Sequence, residues 1–194
     1  MSEAPRPPRA VLDADVIFSR VLHELLGRVA SQLRLLTLIW SDELLGEAEC
    51  ALIERKAMPR PAARRWVDYL REAFPDERVD VSRVLASTNL DELTADPDDQ
   101  HVCALAIAGR ADLLLTFDRG YLSEPLARRH GIEVLTPDAF LLSAFAEEPQ
   151  ALAQVVEAQA RGWGGGRAIE ELLDAIQRAG APTFAAGVRD VLRT

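Results

Sequence analysis

Four acidic residues occupy positions at which a parallel α/β sheet would bring their side chains together. Each lies at the end of a predicted strand or near the start of a predicted helix: Asp13, Glu47, Asp99 and Asp118. Ligands of open α/β sheets gather beyond the carboxyl ends of the strands, so we expect one crevice to hold these carboxylates. Two such charges 4 Å apart repel by roughly 4 kcal/mol at an effective dielectric constant of about 20. Protons or a hard cation, Mg²⁺ or Mn²⁺, must therefore fill the crevice, and metal-assisted phosphodiester chemistry is the leading hypothesis.

Each acid also has an ordinary structural interpretation. Asp13 could simply cap the helix that follows it, and on pattern alone Glu47 fits an exposed glutamate best. The charge of Asp118 follows a very apolar run and is costly unless it is paired or metal-bound. Four neighbours are expected to cap helices or to support the ligands: Thr116, Asp96, Asp98 and Asp15. We predict that His101 forms a hydrogen bond at a helix start rather than binding a metal.

The elements that would position these residues alternate between strand and helix, which favours an α/β fold with a largely parallel sheet. Apolar or alternating runs predict strands at residues 9–13, 78–85, 111–118 and 132–136. Residues 33–40 suit either a strand or a helix. Asp13 and Asp118 would then stand at the ends of two buried strands.

Apolar residues at helical spacing predict the connecting helices. Ser41 is the expected N-cap of a helix over residues 42–58, whose first turn is acidic as the helix dipole favours. The clearest helix start is Asp96-Pro97-Asp98-Asp99, with a capping residue, a proline and first-turn acids, and this helix ends at Gly109. Further helices are predicted over residues 16–33, 63–74 and 123–131 and from Pro137 onward.

The chain is predicted to have three parts. Residues 1–8 are polar and proline-rich, without the apolar stretch of a signal peptide, and predict a disordered tail. Residues 9–148 form the α/β domain, and residues 149–194 form a helical extension, with helices over 151–160, 167–179 and 182–192. The GWGGG segment at 162–166 lacks the strand and the GK[ST] of a phosphate loop and predicts a flexible break. The extension could pack on the domain, mediate homodimer formation or contact a partner, and packing is the default.

The composition limits the partners. The 194 residues carry a formal net charge of −9, so any nucleic-acid contact must be local, whereas a basic protein partner suits the charge. No apolar run approaches the ~20 residues that span a bilayer, and we expect a cytoplasmic protein without a membrane segment. Cys50 and Cys103 show no metal-type spacing and are predicted to be buried, reduced thiols.

One cluster of basic residues stands out against this acidic background. It consists of Arg55, Lys56, Arg60, Arg64 and Arg65. Such a run is usually a solvated helix face, but in this chain it is the best candidate for steering phosphate groups.

The ordered acids, with their flanking motifs, resemble the PIN domain family. The motifs are VLDADVIF with Asp13, SDELLGEAE with Glu47, DPDDQHVCALA with Asp99 and LLLTFDRGYL with Asp118. The resemblance covers about residues 9–145 and is closest to VapC-type toxins of a longer subgroup with a helical extension. Asp15 stands where many members carry Asn, and Asp118 is kept where many of the subgroup have Asn.

The resemblance implies a three-layer α/β/α fold and a Mg²⁺- or Mn²⁺-dependent endoribonuclease. Asp13, Asp99 and Asp118 would hold one or two ions, and Glu47 would help to bind them or orient the attacking water. Toxins of this type are inhibited by a cognate antitoxin, a basic segment of which could insert an arginine among the carboxylates.

Other functions stay open at this point. A PIN fold could act as an RNA-maturation nuclease outside any toxin system, or as a regulatory protein whose partner fills the cleft. Asp13-Ala14-Asp15 also resembles the D-x-D signature of haloacid dehalogenase-like phosphatases. That chemistry wants a lysine shortly before the last acidic motif, and Lys56 lies far upstream of Asp99.

Overall fold

The sheet consists of four short strands. In the computed structural model, which describes residues 6–121, 123–162 and 168–193, they are β1 (Arg9–Leu12), β2 (Thr37–Ile39), β3 (Leu113–Leu115) and β4 (Glu133–Leu135). Their order across the sheet is β2-β1-β3-β4, and each neighbouring pair of these strands is parallel. The central strands β1 and β3 consist largely of buried apolar residues, as expected for parallel strands covered on both faces.

Helices make up most of the remaining described chain. They are α1 (Ala14–Phe18), α2 (Arg20–Arg28), α3 (Asp42–Lys56), α4 (Arg60–Ala73), α5 (Ser82–Ser87), α6 (Gln100–Ala108), α7 (Ser123–His130), α8 (Pro137–Glu147), α9 (Pro149–Gly162), α10 (Ile169–Arg178) and α11 (Pro182–Leu192). Short 3₁₀ turns lie at Pro75–Glu77, Leu90–Glu92 and Pro97–Asp99, and a π-helical turn lies at Val29–Leu33. The predicted α/β/α fold with a parallel sheet and a helical C-terminal region is confirmed.

The predicted strand over residues 78–85 is wrong. Within the described structure, Arg78 makes an isolated bridge to Trp40, and the chain then turns into α5. The Asp80 carboxylate accepts hydrogen bonds from the backbone nitrogen of Ser82 at 2.9 Å and from its hydroxyl at 2.6 Å. This local side-chain bonding starts a helix and overrides the alternating pattern.

Other elements have different boundaries in the structure from those predicted. The helix expected over residues 16–33 is interrupted at Ser19, whose backbone is extended with φ −81° and ψ 104°, so that α1 and α2 are separate. The ambiguous residues 33–40 contain β2 at their end. Strand β3 ends at Leu115, so Asp118 lies beyond the strand in a loop.

The C-terminal helices pack on one another and on α2. The Asp138 carboxylate accepts hydrogen bonds from the backbone nitrogens of Thr183 at 3.3 Å and Phe184 at 2.9 Å, which ties the start of α11 to the start of α8. Gln159 on α9 donates to the carbonyl of Val21 at 3.1 Å. Packing on the domain, the default for this extension, is therefore what the structure shows.

One glycine fixes the turn between α10 and α11. Gly180 has φ +103°, and a Cβ atom there would come within 2.6 Å of the Phe117 ring. Only glycine meets both conditions without strain. The C-terminal region thereby packs against the loop that carries Asp118.

Some expectations lie outside the described residues or stay untested. Residues 1–5 of the predicted tail and 163–166 of the glycine-rich break are not described, and the boundary between residues 148 and 149 stays a prediction. None of the described helices combines the length and apolar composition needed to cross a bilayer. Cys103 is buried as predicted, but Cys50 is exposed, because it lies off the α3 face that buries Leu45, Ala48 and Leu52.

Candidate active site

The carboxyl ends of β1 and β3 meet at one edge of the sheet. The backbone nitrogen of Asp13 donates to the carbonyl of Leu115 at 3.0 Å, extending the ladder of the two strands by one residue. Asp13 therefore stands beside Thr116, and the loop with Asp118 begins at the same edge. This is where open α/β sheets bind ligands.

Asp13 is held rigidly at this edge and is only 5 % exposed. Its Oδ1 accepts a hydrogen bond from the Ala14 nitrogen at 2.7 Å, and its Oδ2 accepts bonds from the Thr116 hydroxyl at 2.6 Å and the Tyr121 hydroxyl at 3.2 Å. Burial raises the pKa of Asp13 above its ordinary value, and these hydrogen bonds offset only part of that rise. Tyr121 was not predicted from the sequence, where the tyrosine of LLLTFDRGYL gave no signal beyond its aromatic side chain.

Asp15, two residues after Asp13, contacts the same loop. Its Oδ2 accepts a hydrogen bond from the Phe117 nitrogen at 3.2 Å, while its buried Oδ1 has no partner among the described residues. Burial, followed by the charge of Asp13, raises the pKa of Asp15 to about 7.

Asp118 is exposed and is oriented by its own loop. Its backbone nitrogen donates to the Thr116 hydroxyl at 2.9 Å, and its Oδ1 accepts from the Gly120 nitrogen at 2.6 Å. Thr116 thus connects Asp13 with Asp118 through one hydroxyl, which agrees with the expectation that it supports a carboxylate.

Asp99 enters the crevice from the start of α6. Asp96 caps the preceding turn by accepting from the Asp98 nitrogen at 3.0 Å. The side chain of Asp99 makes no capping bond, and its Oδ2 is buried without a hydrogen-bond partner in the described structure. Burial, then the nearby charges led by Asp13 and Asp118, raises the pKa of Asp99 to about 6.

Glu47 is positioned by a histidine. Nε2 of His101 lies 2.9 Å from Oε2 of Glu47, an ion-pair contact that is not aligned as a hydrogen bond, and Nδ1 lies 2.8 Å from the Asp98 carbonyl. Burial lowers the pKa of His101, but its contacts with Glu47 and with that carbonyl outweigh burial and leave the pKa above its ordinary value. The bond at the helix start was predicted for His101, whereas its contact with Glu47 was not.

These side chains line one pocket of about 230 Å³, here called the acidic pocket. Its acidic members are Asp13, Asp15, Glu47, Asp96, Asp98, Asp99 and Asp118. All four acids predicted to be catalytic thus lie together, with three of the four predicted supporting residues. The fourth, Thr116, is not among the residues that line the pocket, but it donates a hydrogen bond to Asp13.

The predicted basic cluster is dispersed. Arg55 lines the acidic pocket, whereas Arg65 lines a separate cleft. The ammonium of Lys56 donates to the Phe18 carbonyl at 2.6 Å. Arg64 pairs with Glu49 and Asp68, each at 3.3 Å, and Arg60 is exposed at the start of α4.

The chemistry of the acidic pocket fits a hard divalent cation. Its donors are carboxylate oxygens, the ligands that Mg²⁺ and Mn²⁺ prefer, and the buried oxygens of Asp15 and Asp99 have no protein partner. Among the described residues no three His, Cys, Asp or Glu side chains already stand at ligand separation for one ion. Three of these carboxylates would have to move closer together to hold one ion jointly.

The comparisons with known proteins identify the fold family. A family model described as PIN domain matches residues 9–120, which is more than half of the chain. The chain belongs to the PIN domain family. A second model, the VapC50 C-terminal domain, matches residues 137–190. No curated protein and no solved structure matched the chain.

Together the two matches make this chain a VapC-type PIN protein with a C-terminal extension, as the sequence resemblance implied. The assignment places it in a nuclease and toxin family of hydrolases and removes the haloacid dehalogenase-like alternative. PIN domains generally use divalent metal ions, and the matched range includes Asp13, Glu47, Asp99 and Asp118.

Proposed function

We propose that the chain is a Mg²⁺- or Mn²⁺-dependent endoribonuclease that acts as the toxin of a type II toxin–antitoxin system. The observation that carries the proposal is the acidic pocket. Carboxylates from the end of β1, the loop after β3, helices α1 and α3 and the start of α6 line it. Burial, with repulsion from neighbouring carboxylates, raises the pKa of Asp13, Asp15 and Asp99. A pocket that holds several carboxylates at neutral pH needs a cation to compensate the charge.

When bound, Mg²⁺ supplies positive charge for the phosphate oxygens and lowers the pKa of a water molecule. We assign Asp13, Asp99 and Asp118 as the residues that hold it. Oδ2 of Asp99 is free of protein partners, and Asp118 is fixed through its Oδ1, which leaves the other oxygen available. Asp13 is preorganised by Thr116 and Tyr121, which both donate to its Oδ2. Its Oδ1 accepts only from the Ala14 nitrogen and so retains a lone pair for the ion.

Glu47 also lines the acidic pocket, and its side chain is 44 % exposed. We propose that its carboxylate orients the attacking water and accepts its proton. His101 is then a positioning residue, since it holds Glu47 at 2.9 Å. Asp15, Asp96, Asp98 and Thr116 complete the set as residues that orient the loops.

The predicted basic cluster contributes unequally to RNA binding. Arg55 lines the acidic pocket and is placed to contact a phosphate next to the reacting one. Lys56 is engaged with the Phe18 carbonyl, and Arg64 is neutralised by two acids. Local positive charge at the pocket rim lets an acidic protein approach RNA.

The same pocket suits an antitoxin. An arginine from a basic peptide would find several carboxylates and could form bidentate pairs with them. The net charge of −9 favours such a partner. Homodimer formation and a cytoplasmic location stay predictions.

The direct test is the substitution Asp99→Asn in the purified full chain, with a fluorescent single-stranded RNA and Mg²⁺. We expect cleavage to fall about 100-fold or more, since even groups that merely support metal ligands contribute 10–100-fold. Calorimetric titration with Mn²⁺ should show weaker binding to the variant. The matched control is Asp76→Asn, an exposed aspartate in the turn after α4, which should cleave normally.

Undiminished cleavage by Asp99→Asn would remove this residue from the mechanism. A wild-type chain that cleaves no RNA with either ion would refute the nuclease proposal. For the toxin role, induced expression in a bacterial host should arrest growth, the Asp99→Asn chain should not, and a small neighbouring gene should encode a protein that restores growth. Normal growth under expression of the active chain would favour an RNA-maturation enzyme.

A further inference from the structure

A second cleft lies between α2 and α4, outside the acidic pocket. Its volume is about 490 Å³, within the range of pockets that hold small ligands. We call it the arginine cleft and define it by six side chains that line it: Arg20, His23, Arg28, Arg65, Trp66 and Tyr69.

Positive charge is concentrated in the arginine cleft. Arg65 is exposed and has no acidic partner within 4 Å in the part of the chain that the structure describes. Arg28 pairs with Glu24 at 2.8 Å, and the guanidinium carbon of Arg20 lies 6.0 Å from the Trp66 ring centroid. Of the residues that line the cleft, three are arginines and one, Glu24, is an acid, although the whole chain carries a net charge of −9. A polyanion would be drawn to this place.

The aromatic rings of the cleft are fixed. Trp66 donates from its indole nitrogen to the Ile17 carbonyl at 2.9 Å. The His23 ring packs edge-on against Tyr69, with centroids 5.4 Å apart. A Cβ atom at Gly27 would come within 2.6 Å of the Tyr69 ring, so the glycine lets this ring lie against α2. Trp66 and Tyr69 are both only half-buried and so present part of their surfaces to a ligand.

His23 forms part of the cleft wall. The side chain is 4 % exposed, and its Nε2 has no hydrogen-bond partner among the described residues. Burial lowers the pKa of His23 to about 4, so the ring is neutral at pH 7. The wall therefore contains a polar atom that no protein group satisfies, a feature that needs an explanation in a folded protein.

One lysine links the cleft to the acidic pocket. The ammonium of Lys56 lies 4.0 Å from the ring centroid of Phe18, which lines the acidic pocket, and 5.5 Å from that of Trp66, which lines the arginine cleft. Both rings therefore lie within a few ångströms of one cation. The two sites are therefore neighbours on either side of Lys56, so that one RNA strand can reach both.

Another arginine-rich cleft offers a contrast. It lies near the amino-terminal edge of the sheet and is lined in part by Arg6, Arg9, Arg78 and Arg110. The first three of these are paired with Asp112, Glu77 and Asp42, respectively, and no aromatic residue is among the described residues that line it. Three of its four arginines are therefore neutralised by acids of the protein. Arg65 in the arginine cleft has no such acid among the described residues.

We propose that the arginine cleft binds a nucleotide of the single-stranded RNA whose scissile phosphodiester occupies the acidic pocket. A base stacks on Trp66 or Tyr69, and neighbouring phosphates face Arg20, Arg28 and Arg65. This inference rests on the proposed function, because RNA must be the substrate. An acidic peptide would satisfy the arginines but would leave the aromatic surfaces unused.

The test measures binding separately from cleavage. The inactive Asp99→Asn chain is titrated with a fluorescent single-stranded oligoribonucleotide over a range of salt concentrations. Adding Arg65→Ala should weaken binding about fivefold at low salt and reduce the slope of log K against log salt by about 0.7, the loss of one phosphate contact. The matched control is Arg110→Ala in the other arginine-rich cleft, which should leave the affinity unchanged.

Stacking is tested with a pair of substitutions at Trp66. Both Trp66→Phe and Trp66→Leu lose the bond to Ile17, but only Trp66→Leu loses the aromatic surface. We expect the leucine variant to bind RNA about tenfold more weakly than the phenylalanine variant. Photocrosslinking of the Trp66-containing chain with 4-thiouridine RNA should label Trp66 or Tyr69, and this measurement does not depend on how the variants fold.

The outcomes separate this inference from the proposed function. Unchanged RNA affinity in Arg65→Ala, with crosslinks elsewhere, would overturn the cleft as a nucleotide site even if the wild-type chain cleaves RNA. Loss of binding to a labelled oligo-glutamate peptide in that variant, with unchanged RNA affinity, would also overturn it and assign the cleft to an acidic peptide. Failure of the wild-type chain to cleave RNA would instead count against the proposed function.

Discussion

The acidic pocket and the arginine cleft flank the same lysine but are built in different ways. The acidic pocket collects loop and helix-start residues at the ends of β1 and β3, where backbone hydrogen bonds fix its carboxylates. The arginine cleft is made by side chains spaced three or four residues apart along α2 and α4, such as Arg20, Glu24 and Arg28. One site therefore depends on the sheet, and the other depends on how two helices pack.

The two sites also differ in the direction in which burial shifts the pKa values of their side chains. In the acidic pocket burial, with the charge of neighbouring carboxylates second, raises the pKa of Asp15 to about 7 and that of Asp99 to about 6. The arginine cleft has a buried imidazole instead, and the pKa of His23 falls to about 4. Burial acts on both, but it stabilises the neutral form, which is the protonated acid in one site and the deprotonated base in the other.

The largest expected effect separates catalysis from binding. Chelation of divalent ions should reduce RNA cleavage about 1,000-fold or more, because the activated water is lost. RNA affinity should fall much less, by under about tenfold, since the arginine cleft needs no metal. Cleavage and equilibrium binding are measured on the same wild-type preparation, and Mn²⁺ is added back as the control. A parallel loss of both activities would mean that RNA binding also depends on the metal.

The order of strands and acids along the chain was enough to predict that Asp13 and Asp118 meet at one edge of the sheet, whereas on pattern alone Glu47 fitted an exposed glutamate. Asp13 and Asp118 follow apolar runs, and parallel strands place their carboxyl ends on one edge, so the sequence pattern already contains the geometry. The contacts of Tyr121 with Asp13 and of His101 with Glu47 were not predictable, because they depend on loop paths and rotamers. The strand expected over residues 78–85 failed because the side chain of Asp80 bonds to Ser82.

The arginine cleft was not predictable for a different reason. Sequence proximity grouped Arg55, Lys56, Arg60, Arg64 and Arg65, but helical geometry sends them to different surroundings. Arg65 instead meets residues of α2 that lie some 40 positions earlier in the chain. No local pattern encodes how α2 and α4 approach, although Gly27 is the residue that permits it.

A smaller effect concerns metal binding and pH. In the metal-free chain, Asp15 and Asp99 bind protons more tightly when folded than when unfolded, where an aspartate has its ordinary pKa of 3.8. Their contribution to stability is therefore present in full below about pH 4 and is lost as the pH rises through 6 to 7. Mg²⁺ should replace the protons and stabilise the fold at pH 7.5, by about 2.7 kcal/mol at 100 times its Kd.

Thermal unfolding with and without Mg²⁺ at pH 7.5 and pH 5 checks this expectation. The gain from Mg²⁺ should shrink at pH 5, where protons compete for the same oxygens. Asp99→Asn should lose most of the gain at both pH values, whereas Asp76→Asn should keep it. Equal stabilisation at both pH values would place the ion away from these carboxylates.

The smallest expected effect is the pH dependence of stability that His23 contributes in the wall of the arginine cleft. Its sign is opposite to that of Asp15 and Asp99. His23 binds a proton less tightly when folded, with a pKa of about 4, than when unfolded, where the value is 6.5. Its contribution to stability is present in full above pH 6.5 and is lost as the pH falls toward 4, at up to about 1.4 kcal/mol per pH unit. In His23→Phe, which keeps an aromatic ring against Tyr69, this loss should vanish.

Urea unfolding at several pH values should therefore show wild type losing stability relative to the variant on acidification, while the exposed-site control His130→Gln tracks wild type. Parallel curves for wild type and His23→Phe would mean that the imidazole is solvated and that water reaches the cleft wall, contrary to the 4 % exposure of the side chain.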